Sequence, residues 1–373
     1  MPRYLAFALV VLFLASIARF YDPVTGFTVF ITFPRDNARE VPALREVPHF
    51  TSSASYDGQF YAQRAFDPLL RDPEVDRAMD LAPFRARRIL FSWTAYALGF
   101  GRPAWILQVY SLQNVVCWLL LAALLTRWMP VTSTRGLLLW TACLLSHGML
   151  WSVRYALLDA PSLLLTASAV ALVERGRPLL SAAVVGVAAL GRETNVLFAL
   201  AQPIPTNRRA VVRLALAAVL VVAPLLLWLD YLRSIYRSTT FAGTGLLVLP
   251  GTALAQTWWQ FLTAAAVHPF TGDGLLFWEL FALAAQAAYL LVRREYRTPW
   301  WRVAAGYAVL LLLLDRTLAD PHTGAITRVL LPLTVGFNVL LATEPRAARF
   351  WPWFVVGNLH LLPAMRLMAR VPW

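Results

Sequence analysis

The sequence predicts an all-α protein, a polytopic transmembrane helix bundle of about 10–12 spans with one long loop early in the chain. Three observations predict it. Of 373 residues, 59% are hydrophobic and only 14% are charged, against about 25% charged in a soluble domain. Mean hydropathy is +0.59. Apolar segments of roughly 16–24 residues recur along the whole chain, each near the length that crosses a hydrocarbon core about 30 Å thick. A membrane β-barrel would instead show segments of about ten residues with period-two alternation. Two cysteines, Cys117 and Cys143, both inside apolar runs, exclude a disulfide scaffold and read as small hydrophobes.

The whole chain, 1–373, reads as one integral-membrane domain. Residues 4–20 form a retained first span, because no small-residue cleavage site is convincing after Ala18 and an aromatic pair, Phe20-Tyr21, follows. Residues 21–103 change character and read as a large outer loop. They hold Asp22, Asp36, Glu40, Glu46, Asp57, Asp67, Asp72, Glu74, Asp76 and Asp80, half of all the acids, with about as many arginines. A connection this long is usually functional. Its last part, Arg88 to Gly101, reads as a helix lying in the interface or half-entering the membrane. Further spans are expected at 104–126, 136–153, 158–173, 178–190, 194–204, 210–229, 275–292, 300–315, 326–343 and 350–368. Gly191, Pro203 and Pro205 make those between 178 and 204 short or broken. The second outer segment, 230–274, is expected to be interfacial or re-entrant around Trp258-Trp259, or to hide one or two spans.

The net charge is +13, and all 33 basic residues are arginine. Nucleic-acid binding would be the reading in a soluble protein. Here the arginines fall in short loops: Arg127 and Arg135, Arg175 and Arg177, Arg208 to Arg213, Arg293 to Arg302, and Arg346 with Arg349. Such a ladder orients a membrane protein with these loops and the N-terminus cytoplasmic. It places 21–103, Asp159, Arg192-Glu193, 230–274 and 315–328 at the outer face.

Chemistry-bearing residues gather on that face. Tyr56-Asp57-Gly58-Gln59-Phe60-Tyr61 to Arg64 reads as a helix start in which Asp57, Phe60 or Tyr61, and Arg64 share a side. A carboxylate there serves as base or metal ligand, rings stack on a sugar, and Arg holds phosphate. The bland alternative is that Asp57 only caps the helix. Arg85, Arg87 and Arg88 suit a lipid phosphate or simple snorkelling. Arg154 and Asp159 close one span and open the next; Asp159 is either an N-cap or a partner for Arg154. The pair Arg192-Glu193 and the lone Arg328 stand near membrane depth, where charge is costly and signals function by default. The five histidines, His49, His147, His268, His322 and His360, show no ligand spacing.

Taken with Phe66-Asp67-Pro68, Arg85 to Leu90, Arg154 to Asp159, Arg192-Glu193-Thr194, and Arg328 with Pro332, this layout resembles the bacterial integral-membrane glycosyltransferases of the GT-C class. The resemblance implies a polyprenyl-phosphate-linked sugar donor and an extracytoplasmic acceptor that is a lipid, glycan or protein. It implies an inverting displacement with Asp57 as catalytic base and Asp67 as second acid. It also implies substrate or lipid-phosphate contacts by Tyr56, Gln59, Tyr61, Arg64, Arg88, Arg154, Asp159, Arg192, Glu193 and Arg328. Membrane lipids are implied as partners and the bacterial inner membrane as location, with the site facing the periplasm or exterior. The loop lacks a paired Asp-Glu or Asp-X-Asp, so a divalent metal, Mg or Mn, is left open. A transporter or flippase for a lipid-linked or anionic substrate would use the same arginines, and a structural subunit would need no charge at membrane depth.

Overall fold

In the computed structural model the described part of the chain is mostly helical. Residues 1–35, 40–53, 55–236, 248–319 and 321–369 are described. Helix α1 (Pro2–Ala18) has proline in its first turn, where a missing N–H costs no intrahelical bond. Its Phe13 stacks on Trp118 with ring centroids 3.8 Å apart.

The described residues between 21 and 102 then form a cap of short pieces. Parallel β1 (Phe33–Pro34) and β2 (Thr51–Ser52) pair Phe33 with Thr51. Helices α2 (Gly58–Arg64), α3 (Ala82–Ala86) and α4 (Leu90–Leu98) follow.

Next come α5 (Pro103–Leu125), α6 (Thr134–Leu144), α7 (His147–Arg154), α8 (Asp159–Glu174) and α9 (Pro178–Ala189). A 3-10 helix, Glu193–Ala201, leads into α10 (Arg208–Tyr236). The rest is α11 (Thr252–Val267), α12 (Gly272–Val292), α13 (Pro299–Leu313), α14 (Ala325–Val329), α15 (Leu331–Ala342), α16 (Ala347–Gly357) and α17 (Leu361–Ala369).

Helices α5, α10 and α12 are each long and apolar enough to cross a membrane. The pair α6 and α7, bent by 46° at Leu145-Ser146, makes a fourth. Helices α1, α9, α13 and α15 are apolar but shorter. These segments mark a helical membrane protein, as the composition predicts. Among the described residues, however, three helices, or four with the bent pair, are long and apolar enough, against the 10–12 spans expected, because many apolar segments are broken into shorter helices.

The individual spans differ from the sequence reading where turn residues intervene. The stretch read as 194–204 is a nine-residue 3-10 helix, Glu193–Ala201, with Gly191 shortly before it and Pro203 and Pro205 after it. The stretch read as 350–368 divides at Asn358–His360 into α16 and α17. The stretch read as 210–229 continues to Tyr236. In 230–274, residues 237–247 lie outside the described residues, and the Trp258-Trp259 stretch is α11, which packs along α12 through Trp258 and Phe277.

Helix α10 buries only a narrow stripe, Ala217, Val221, Trp228 and Leu232, against its neighbours. Gly186 on α9 permits that contact, since a Cβ there would run into the Leu220 carbonyl. The far end of α10 is tied to the cap. Trp228 donates to the Ala86 carbonyl at 2.9 Å, Tyr231 to the Leu69 carbonyl at 2.7 Å and Tyr236 to Asp76 at 2.9 Å.

Candidate functional site

Where the cap meets the bundle lies a cavity of about 400 Å³. Its polar wall begins at α2. Asp57 occupies the position before that helix, but its side chain makes no capping bond. Instead its Oδ1 accepts from Arg85 Nη2 at 2.9 Å. Gly58 is required beside it, because a Cβ there would meet the Tyr155 carbonyl oxygen. Tyr155 precedes Ala156, which takes the left-handed φ of +46°. An L side chain rarely adopts that conformation, and its use here marks a constrained turn. The capping role that the sequence allowed for Asp57 is thus not the one its side chain fills.

Arg85 is the hub of this wall. Its Nε and Nη2 donate to Asp80 at 2.8 and 2.7 Å, and its guanidinium lies 4.6 Å from the Phe60 ring centroid. Burial pushes the Asp80 carboxyl up, but the Arg85 hydrogen bonds and charge outweigh it, so Asp80 titrates below the usual carboxylate range. Tyr61 accepts from both Arg85 and Arg88 at 3.4 and 3.3 Å. Arg88 and Arg87 grip the two oxygens of Glu193 at 2.9 and 3.3 Å. Phe84 lies beneath both, 4.7 Å from each guanidinium.

Across the cavity Asp159, at the head of α8, joins two more arginines. Its Oδ1 is ion-paired with Arg192, and its Oδ2 lies 3.2 Å from Arg328 Nη1. Arg328 also donates to the Tyr56 hydroxyl at 2.8 Å and to the Gly324 carbonyl at 3.3 Å. Burial raises the Tyr56 phenol above its ordinary range, with Arg328 opposing. Leucines 157, 158, 310, 314 and 318 supply the facing apolar wall.

The cavity lining therefore contains five arginines and three carboxylates. Every carboxylate is already bridged to a guanidinium, which leaves a net positive, anion-attracting site with an apolar side. Among the described residues no group of three His, Cys, Asp or Glu stands together. Carboxylates engaged by arginine are poor donors for a divalent cation, so the residues present do not fit a metal.

Of the residues singled out in the sequence, Asp57, Tyr61, Arg88, Asp159, Arg192, Glu193 and Arg328 line this cavity, and Tyr56 adjoins it through Arg328. Four do not reach it. Arg64, two turns along α2, is fully buried and held by Asp76 at 2.7 Å, so it does not share the cavity with Asp57. Asp67 accepts from the Asp72 amide at 2.8 Å and shapes a local turn. Gln59 is buried away from the lining. Arg154 donates to the Val29 carbonyl at 3.1 Å and lies over the Phe20 and Tyr155 rings, so it is no partner of Asp159.

A second recess of about 630 Å³ runs between α4, α5, α8 and α9, walled almost wholly by apolar side chains such as Leu98, Trp105, Leu112, Val116 and Leu164. Phe91 lines it and packs against Gly191, next to Arg192. No protein-family model and no curated protein matches this chain.

Proposed function

We propose that the protein is a membrane glycosyltransferase of the GT-C type that takes its sugar from a polyprenyl-phosphate donor. The observation that carries the reading is the two-sided cavity: a partly exposed carboxylate, Asp57, an excess of arginines, and an apolar wall within one space. An amphiphile with an anionic head suits that combination. The apolar recess beyond Phe91 offers length for an isoprenoid chain.

In the proposed step the acceptor hydroxyl oxygen attacks the anomeric carbon as Asp57 takes its proton. The carbon–oxygen bond to phosphate breaks, and its electron pair leaves with the lipid phosphate. Arg88, Arg192 and Arg328 stabilise that leaving charge, because guanidinium forks match phosphate oxygens. Arg85 holds Asp57 in position, and Asp80 keeps Arg85 in place. The arginine ladder supports a cavity facing the periplasm or exterior of a bacterial inner membrane, with the N-terminus cytoplasmic. The acceptor is an extracytoplasmic lipid, glycan or protein.

The test is sugar transfer from a polyprenyl-phosphate donor in nanodiscs. Asp57→Asn should lose about 10²–10⁴-fold in rate, the usual contribution of a general base. Its thermal stability should change little, since the side chain does not cap α2. Full activity in Asp57→Asn would overturn the base assignment. A transporter of lipid-linked anions is the second reading, favoured by ionisable residues buried deep in α7 and α12. Movement of an anionic lipid without sugar transfer would select it.

A further inference from the structure

Inside the bundle, away from the cavity lining, sits an ionisable pair. Glu279 lies on α12 and is fully buried; His147 opens α7 and is 3% exposed. His147 Nδ1 and Glu279 Oε1 stand 2.5 Å apart, at ion-pair distance, and neither Glu279 oxygen has a hydrogen bond among the described residues. A carboxylate and an imidazole so placed are costly to hold in a membrane interior, and such groups mark proton or ion sites by default. Two other polar side chains in line with Glu279 do find partners. Gln286, seven residues on, donates to the Gly357 carbonyl at 2.8 Å and accepts from Thr334 at 3.1 Å. Arg293, seven further, meets Glu344 at 3.0 Å.

The pair is built against the anion cavity. Gly148, next to His147, lies on the backbone of α14, where an added Cβ would stand 2.5 Å from the Thr327 carbonyl oxygen and 2.8 Å from the Arg328 nitrogen. One turn along α7, Trp151 packs its ring 5.2 Å from His147 and 6.1 Å from Tyr56. Tyr56 is the hydroxyl that Arg328 holds. Movement or charging of His147 therefore reaches Arg328 through one helix turn and one ring.

We propose that His147 and Glu279 form an intramembrane proton-binding site coupled to the cavity. An anion bound at Arg192 and Arg328 favours uptake of a proton by the pair, and a protonated pair tightens the anion. The reciprocity is thermodynamic: whatever one ligand does to the other's affinity is returned in equal measure. The coupling rests on the reading of the cavity as an anion site; the proton site does not.

Other titratable groups surround the pair. His360, before α17, interacts electrostatically with His147. Cys143 lies on α6 and Asp159 on α8. Asp273 pairs with His322 at the head of α12, and Arg328 lies on α14. Helices α11 and α15 carry none. Asp159 is fixed between two arginines, which leaves the His147–Glu279 pair as the proposed place of proton exchange.

The test uses the full chain in nanodiscs and sulfate, an anion that does not itself titrate near neutral pH. Calorimetry in buffers of different ionisation heat counts protons taken up per sulfate bound. Wild type should take up protons and bind sulfate at least about five-fold more tightly at pH 6 than at pH 7.5, the lower end of usual intersite coupling. Glu279→Gln and His147→Gln should bind sulfate with that uptake and pH dependence reduced or gone. Equal proton uptake in wild type and both variants, or none in wild type, overturns the coupling. The proton site has its own readout, the Trp151 fluorescence obtained by difference from Trp151→Phe. Protonated imidazole beside the indole should quench it on acidification, and His147→Gln should abolish the change. Quenching that survives in His147→Gln, or a flat titration in wild type, refutes the proton site. Absence of sulfate binding removes the anion reading and the coupling together, and the fluorescence still decides the proton site.

Discussion

Replacing Asp159 by Asn separates what holds the cavity together from what the cavity is for. The Asp159 side chain is 2% exposed and neutralises Arg192 and Arg328 at once. Removing the charge leaves two largely buried guanidiniums near each other without their shared carboxylate. Breaking a buried pair by deleting one partner costs about 3–5 kcal/mol, and Asn retains the volume, so packing loss adds little. The same change removes the carboxylate that competes with an added anion for the two arginines. Asp159→Asn should therefore unfold more readily than wild type in anion-free buffer, yet gain more from added sulfate. An anion at about 100 times its dissociation constant returns about 2.7 kcal/mol, most of the loss. Cys143, which is buried, reports unfolding when it becomes reactive to a thiol dye. The measurement is the melting midpoint of wild type and Asp159→Asn across a sulfate series, with chloride as control. Equal midpoints without anion would show that the bridge is energetically idle. A sulfate gain no larger than that of wild type would show that the two arginines do not form an anion seat.

Three other outcomes are expected. Asp80 titrates below its unfolded value because of Arg85, so its contribution is present above the ordinary carboxylate pKa near 3.8 and is lost as pH falls through the lower, folded one. Limited proteolysis between residues 69 and 89 should accelerate in that acid window, and Asp80→Asn should be open already at neutral pH. Gly58→Ala should destabilise the chain by about 1–3 kcal/mol, as overpacking does, because the Tyr155 carbonyl must move; an unchanged melting midpoint would deny that contact. In a chain lacking Cys117 and Cys143, thiols introduced at Arg45 and Arg77 should label from outside intact cells and one at Arg294 should not. The reverse pattern would invert the proposed orientation.

Much of the bundle is legible in the sequence because apolar length is a one-dimensional property. Pro103, Pro178 and Pro299 mark helix starts, and each heads the helix expected there. What composition hides is the break. Nothing in Leu145-Ser146 announces a 46° bend, since serine is tolerated in helices and the bend depends on what packs around it. The site is partly legible for a similar reason. Asp159, Arg192 and Arg328 each stand at the end of an apolar run, where charge is conspicuous. Which way a side chain turns is not. Arg64 and Asp57 fall seven residues apart on one helical face, but Asp76 captures the arginine elsewhere. Asp80, one acid among ten in its loop, carries no signal for its hold on Arg85. Glu279 had one, a lone acid inside an apolar stretch, but its partner is 132 residues away in sequence and no spacing rule links them.

The three bonds from α10 to the cap have a consequence for the medium around the protein. Trp228, Tyr231 and Tyr236 fasten the cavity's roof to the helix that most fully faces outward. Between Arg213 and Asp230 that helix has 16 uncharged residues, about 24 Å at 1.5 Å per residue. This is shorter than a typical hydrocarbon core, and such a mismatch is met by thinning the bilayer or by shifting the charged ends. Bilayer thickness thus bears on the helix to which the roof is fastened. The acyl-chain length of the surrounding lipid becomes a coordinate of the site, as much as any residue within it.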